Sequence, residues 1–155
     1  MTASENRPVV VRAGPGDAAA IAGIAAEALP EPWSEAGFAE EITLPEARVW
    51  LARGSQGGAL GYLVAHRVLD ELQILSLAVA SGQRRRGTAS ALLERALASE
   101  AGLRVVHLEV RSNDAAAQAF YDRVGFRPVG LRRGFYPDGA DAVLLARAVS
   151  SADAR

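Results

Sequence analysis

Ser81-Gly82-Gln83-Arg84-Arg85-Arg86-Gly87-Thr88-Ala89-Ser90 sets three adjacent arginines before a glycine and a run of small residues. The chain around it is nearly neutral, with a formal net charge of −1 at pH 7. On charge alone such a run reads as a solvated basic turn. Its flanks give it a second reading. Upstream, the stretch LQILSLAV (72–79) has the content of a buried strand. Downstream, Ala89, Leu92, Leu93, Ala96 and Leu97 fall at i, i+3, i+4, i+7 and i+8, the spacing of an amphipathic helix that begins near Gly87. A helix start offers unpaired N–H groups and about half a positive charge. Gly87 has no Cβ to hold a ligand away from the backbone. Arg84, Arg85 and Arg86 add cationic donors, and the whole makes a diphosphate site.

Composition narrows the chemistry around that site. The 155 residues suit one domain, half of them are apolar, and 23% are charged. A single domain over 1–155 is expected, with frayed ends at 1–7 and 150–155. No global basic field recruits nucleic acid, and no apolar run is long enough to span a bilayer. The opening MTASENRPVVV lacks a charged segment followed by an apolar one, so a secretory signal is not expected and the expected location is the cytoplasm. There is no cysteine, which removes thiolate metal sites and an acyl-cysteine intermediate. All 17 basic residues are arginine, which removes a Schiff base and the lysine-containing phosphate loop. With only His66 and His107, no metal site is expected. Carboxylates, tyrosine, arginine and backbone amides remain.

Outward from the arginines, strands are expected at 8–12, 48–52, 59–68, 72–79, 105–110, 127–131 and 142–148. Helices are expected at 18–29, with Asp17 as its N-cap, at 34–42 opened by Ser34, at 87–100 and at 115–123. Turns fall at 54–58 and 69–71. The order β-α-α-β-β-β-α-β-α-β-β implies an α/β fold, a mixed sheet with helices packed on it.

Arg84-Arg85-Arg86-Gly87-Thr88-Ala89 fits the signature Arg/Gln-x-x-Gly-x-Gly/Ala, and so resembles the pyrophosphate loop of the GNAT superfamily of N-acetyltransferases. Leu77, Ala78 and Val79 precede the loop where members of that family pair the sheet edge with the pantetheine arm of acetyl-coenzyme A. Phe120-Tyr121 followed by Gly125-Phe126 is similar to the family's Tyr-x-x-x-Gly-Phe element. The pieces PWSE (32–35), LDE (69–71), LEVR (108–111) and RRGFYP (132–137), with Asp141-Ala142 after them, resemble the RimI-like branch, which acetylates the N-terminal alanine of small-subunit ribosomal protein eighteen. The resemblance implies a GNAT fold: a mostly antiparallel sheet of about seven strands flanked by about four helices. It implies acetyl-coenzyme A as cosubstrate, no metal, and the N-terminal peptide of a ribosomal protein as partner. A monomer that binds neither nucleic acid nor membrane is expected. The implied coenzyme contacts are Leu77, Ala78, Val79, Arg84 to Arg86, Gly87, Thr88, Ala89 and Ser90. One departure stands out: the family places asparagine seven residues before the tyrosine, where this chain has Asp114 and carries Asn113 one position earlier. Aspartate caps a helix as well as asparagine but donates no amide hydrogen bond, so Asn113 or Asp114 takes the pantetheine contact.

Acetyl transfer from a thioester to an amine needs a neutral amine, a stabilised oxyanion and a protonated leaving sulfur. The branch resemblance implies Glu109 as base, acting through water. The residues place His107, Glu109 and Arg111 on one strand face and Val106, Leu108 and Val110 on the other, which an ordinary half-buried strand also shows. Tyr121 is the implied acid; packing beside Phe120 is the alternative. A phenol near pKa 10 gives its proton to a thiolate near 8.5 uphill by about 2 kcal/mol, so Tyr121 is expected first to hydrogen-bond the sulfur. Backbone N–H groups near Leu77 to Val79 would hold the oxyanion. Trp33, Glu35 and Tyr136 are expected beside the substrate; Trp33 also suits a hydrophobic staple. Trp50 is expected in the core. Glu31, Glu35, Glu40 and Glu41 read as a solvated helix face or an acidic rim, and Arg132 and Arg133 as a solvated turn. Competing functions are a small-amine or lysine acetyltransferase of the same fold and a non-catalytic coenzyme A sensor.

Overall fold

The computed structural model describes residues 7–83 and 87–150. Arg84, Arg85 and Arg86 lie outside the described residues, as do residues 1–6 and 151–155, where the ends are expected to fray. The elements are β1 (Val9–Arg12), α1 (Ala18–Ala28), α2 (Glu35–Ile42), β2 (Ala47–Arg53), β3 (Ala59–Val68), β4 (Glu71–Val79), α3 (Thr88–Ala98), β5 (Val105–Arg111), α4 (Ala115–Arg123), β6 (Arg127–Arg132) and β7 (Ala142–Ala148). Every expected strand and helix is present. A single 3₁₀ turn, Pro15–Asp17, is additional.

The two helix starts on the first face differ. At α2, Ser34 Oγ accepts from the Gly37 N–H at 3.0 Å, the N-cap that the sequence predicts. Trp33, just before the cap, packs its ring 5.3 Å from that of Phe38, which closes the hydrophobic staple. At α1, Asp17 makes no cap. Its carboxylate turns back to the Gly14 N–H at 2.8 Å and pairs with Arg53 at 2.6 Å. The ion pair and the tight 3₁₀ turn outcompete the cap.

The seven strands form one sheet in the order β1-β2-β3-β4-β5-β7-β6. Only β4 and β5 run parallel; the other neighbours are antiparallel. Helices α1 and α2 cover one face through Ile21, Ile24, Phe38, Leu51, Tyr62 and Val64. The opposite face carries α3 and α4 over Leu63, Leu72, Leu92, Leu93, Val106, Leu108 and Phe126. Each fully buried leucine there contributes about 1.5–3 kcal/mol. Gly61 lets α3 sit close to the sheet: a Cβ there would lie 3.2 Å from Thr88 Cγ2 and 3.0 Å from the Ala78 carbonyl. That approach fixes where the N-terminus of α3 meets the end of β4. The C-terminal end of α3 is tied down by Glu100, nearly buried, which pairs with Arg48 and, at 3.3 Å, with Arg67.

Candidate active site

The central feature is a parting of the sheet. Strands β4 and β5 pair only at Glu71–Val105, Leu72–Val106 and Gln73–His107. Beyond that point β4 stays with β3 up to Val79, and β5 stays with β7 up to Arg111. A wedge therefore opens between the ends of β4 and β5. One residue, Leu75, is extra on β4, since Val64 pairs with Ser76 and Ala65 with Ile74. The Ala80 N–H bonds the Leu60 carbonyl of β3 at 2.7 Å. Strand amides alternate sides, so the N–H groups of Leu77 and Val79 face the wedge, and that of Ala78 faces β3.

At the same end, α3 begins on Gly87, whose φ of +80° is the left-handed conformation that glycine adopts freely. The Gly87 carbonyl takes the first helical bond, from the Ala91 N–H at 2.9 Å. The amides of Thr88, Ala89 and Ser90 thus precede the first intrahelical donor. Thr88 itself is buried against Gly61. A groove of about 1370 Å³ runs beside α3 toward the β2–β3 turn and reaches Gly87, Thr88 and Ser90. Its lining follows α3 from Gly87 to Ala98 and includes none of Glu109, Tyr121 and Tyr136. Among the described residues no cluster of histidine and carboxylate side chains could hold a metal ion.

The candidate base and acid stand on opposite faces of β5. Val106, Leu108 and Val110 are buried on the α3–α4 side, so Glu109, with His107 and Arg111, faces the other way. Helices α1 and α2 cover β3 and β4 on that side, and Glu109 keeps 20% of its side chain exposed. Arg132 Nη1 is 3.6 Å from its Oε1. Arg132 is solvated as expected but is no turn residue: it ends β6 and reaches the carboxylate across β7. Arg133 is exposed in the connection that follows.

Tyr121 lies on α4, 7% exposed, with its ring edge-on to Phe120 at 5.0 Å and Phe126 at 5.3 Å. Its hydroxyl has no hydrogen-bond partner among the described residues. Burial, helped by the nearby Asp114 carboxylate, pushes its pKa far above the ordinary phenol value. The phenol therefore stays protonated throughout the neutral range. Asp114 caps α4 through its Oδ1, which accepts from the Ala117 N–H at 3.0 Å. Asn113 is exposed and its side-chain amide is uncommitted among the described residues.

The open face beyond Glu109 is framed by two connections. From the α1–α2 connection, Glu31 lies 3.8 Å from Arg111. From the β6–β7 connection, Asp138 pairs with Arg111 at 2.7 Å, and the Tyr136 ring lies 4.2 Å under the same guanidinium. The Ala140 N–H and Arg111 together hold the Asp138 carboxyl below the usual range. Burial raises the Tyr136 pKa; Arg111 opposes this, and Glu109 and Asp114 add to it. Tyr136 is thus within electrostatic reach of the candidate base. Trp33 and Glu35 flank Ser34 in the connection and first turn that Glu31 leads into; both are exposed. Glu41 leaves the expected solvated face and pairs with His66 on β3.

Sequence reading missed Asp138, the part played by Arg111, and Gln118, whose side-chain amide donates to the carbonyls of Arg111 and Ser112 at 3.0 Å each. None carries a local signal, because each acts on a residue from another element.

Comparison with known proteins agrees with this geometry. The model of the acetyltransferase (GNAT) family matches residues 18–126. A "[Ribosomal protein bS18]-alanine N-acetyltransferase" of Escherichia coli is 34% identical over 124 residues, covering 77% of this chain and 82% of that protein. An "N-alpha-acetyltransferase RimI" of Mycobacterium tuberculosis is 37% identical over 122 residues, 76% of each chain. The crystal structure of the ribosomal-protein-alanine N-acetyltransferase from Escherichia coli superposes with a TM-score of 0.84 at 30% identity, over 92% of this chain and 94% of that one. The family model spans more than half of the residues and the relatives exceed 30% identity over three quarters of them, so the chain belongs to the GNAT family.

Proposed function

We propose that the protein is an acetyl-coenzyme A-dependent N-alpha-acetyltransferase. Its substrate is the N-terminal alanine of small-subunit ribosomal protein eighteen, met in the cytoplasm. The reading is supported by the relatives' activities and, in this chain, by the wedge with Glu109 on one face of β5 and Tyr121 on the other. The Gly87-led start of α3 would take the pyrophosphate on the amides of Thr88 to Ser90. The pantetheine arm would lie along the free edge of β4, with Asn113 as the available amide opposite, since the Asp114 carboxylate already caps α4.

Within a ternary complex Glu109, through water, takes one proton from the α-ammonium. The neutral nitrogen then attacks the thioester carbon. The Leu77 and Val79 N–H groups stabilise the oxyanion that forms. When the oxyanion collapses the C–S bond breaks, Tyr121 donates a hydrogen bond and then its proton to sulfur, and the nitrogen loses its second proton to water, from which the phenolate is reprotonated. Products are the N-acetyl peptide and coenzyme A. With no cysteine in the chain, transfer is direct. An α-amine of pKa about 7.7–8.0 is roughly 10–15% neutral at pH 7, whereas a lysine near 10.4 is neutral in well under about 0.1% of molecules, so a carboxylate suffices as base.

The test is coenzyme A release with three acceptors: a peptide beginning Ala-Arg, the same peptide blocked at its N-terminus but containing lysine, and a polyamine. Release with the free peptide alone supports the reading. Equal release with the blocked peptide or the polyamine replaces it with a lysine or small-amine activity. Binding of acetyl-coenzyme A with no release makes the protein a sensor.

A further inference from the structure

We propose that Arg111 is a positioning residue that sets the entrance for the peptide, by holding the α1–α2 and β6–β7 connections against the end of β5. The inference rests on the reading of Glu109 as the base for a peptide amine. Arg111 follows Glu109 by two residues and so lies on the same open face. Its guanidinium is used in three directions: Nη1 to Asp138 at 2.7 Å, Nη2 toward Glu31 at 3.8 Å, and its plane on the Tyr136 ring at 4.2 Å. The arginine side chain is 19% exposed, against 53% for Glu31 and 57% for Asp138, so the cation is the more buried partner of both pairs.

The β6–β7 connection is a stitched unit that needs an outside anchor. The Gly134 N–H bonds Asp141 Oδ1 at 2.8 Å, the Tyr136 N–H bonds the Ala140 carbonyl at 3.1 Å, and the Ala140 N–H bonds Asp138 Oδ1 at 3.1 Å. Among the described residues its ties to the end of β5 are Arg111 and, one residue beyond the strand, the Ser112 N–H to the Asp141 carbonyl at 2.9 Å. The backbone bond holds the base of the unit, and Arg111 holds its tip, where Tyr136 sits. Across the opening, the same guanidinium links Glu31 to β5. One side chain thus spans both walls. Lysine cannot replace it, because an ammonium offers neither the planar fork for two carboxylates nor a face to stack on tyrosine. Two carboxylates also cancel its charge, so the entrance does not repel a basic peptide tail.

Two measurements on Arg111→Gln and Arg111→Lys test this. The first is amide hydrogen exchange of the free protein, which needs no substrate. The expected result is faster exchange at Gly134, Tyr136, Gly139 and Ala140, with α3 and the β2–β3 hairpin unchanged. The second is steady-state kinetics with the Ala-Arg peptide. The expected result is a peptide KM raised by roughly tenfold, with kcat and the KM for acetyl-coenzyme A within about twofold of wild type. Asp138→Asn should shift the peptide KM in the same direction and add little on top of Arg111→Gln. Unchanged exchange overturns the proposal. So does a fall in kcat together with both KM changes, which would mark a general structural role. If the wild-type protein acetylates no free N-terminus, the functional reading falls, and exchange alone decides whether Arg111 holds the β6–β7 connection.

Discussion

Replacing Tyr121 by phenylalanine separates its two roles, packing and proton donation. The structure sets the size of each. The ring contacts, edge-on to Phe120 and Phe126, survive in Tyr121→Phe. The hydroxyl that is lost bonds nothing among the described residues, so the fold should lose under about 1 kcal/mol. Tyr121→Ala removes the ring as well and should cost about 3–5 kcal/mol. Catalysis should respond the other way round. A phenol at its ordinary pKa already delivers a proton to a thiolate near 8.5 uphill by about 2 kcal/mol, and burial raises this one further. Its hydrogen bond to the departing sulfur must therefore carry the early part of the step, and full transfer comes only as the C–S bond breaks. Losing a positioned proton donor costs roughly 10²–10⁴ in kcat. The assay is turnover of the Ala-Arg peptide, with thermal melting and calorimetric titration of acetyl-coenzyme A on the same sample. Expected are a fall in kcat of that size, a nearly unchanged melting point and coenzyme affinity within about twofold. A variant that melts early yet keeps its turnover would reduce Tyr121 to core packing.

Glu109→Gln should be slow at neutral pH and recover as pH rises through about 8–9, where the α-amine loses its proton unaided; a defect of the same size at every pH would make Glu109 an orienting group. Gly87→Val should weaken acetyl-coenzyme A binding, measured by titration, by far more than its strain at φ +80° weakens the fold, which is about 1–2 kcal/mol; equal affinity would remove the anion site at α3. Tyr62, Tyr121 and Tyr136 all have pKa values raised above 10.0 in the fold, chiefly by burial. Their contribution is intact below the unfolded value near 10 and declines as pH rises past it, because the unfolded chain ionises first. Denaturant midpoints should thus fall above about pH 10, and a flat profile would contradict the burial of these phenols.

Much of this architecture was legible because its signals are local. The period-two alternation of β5 placed Glu109 on the face opposite Leu108, and the helical spacing of Leu92, Leu93 and Ala96 placed α3 directly after the glycine turn. Ser34 and Trp33 announced α2 by cap and staple. What escaped was set by partners distant in sequence. Asp17 looks like a cap until Arg53 competes for it. Glu41 looks solvated until β3 brings His66 beneath it. Arg132 looks like a turn residue because nothing nearby shows that β7 will place it beside Glu109. The wedge has no local signal for a different reason: it is an end to pairing, and beyond it β4 stays apolar and β5 keeps its alternation, so only the resemblance marked Leu77 to Val79 as a free edge.

The central claim is that the face bearing Glu109 acetylates an α-amine. One peptide with both a free N-terminal alanine and an internal lysine, incubated with acetyl-coenzyme A and fragmented by tandem mass spectrometry, tests it most directly. Both amines are then at the same concentration on the same molecule, and the neutral fractions alone favour the α-amine by roughly 10²–10³ at pH 7. The account predicts the acetyl group on the N-terminal fragments, with the lysine-bearing fragments unshifted. Acetyl on the lysine at a comparable level, or peptide recovered unmodified while acetyl-coenzyme A binds, would contradict it.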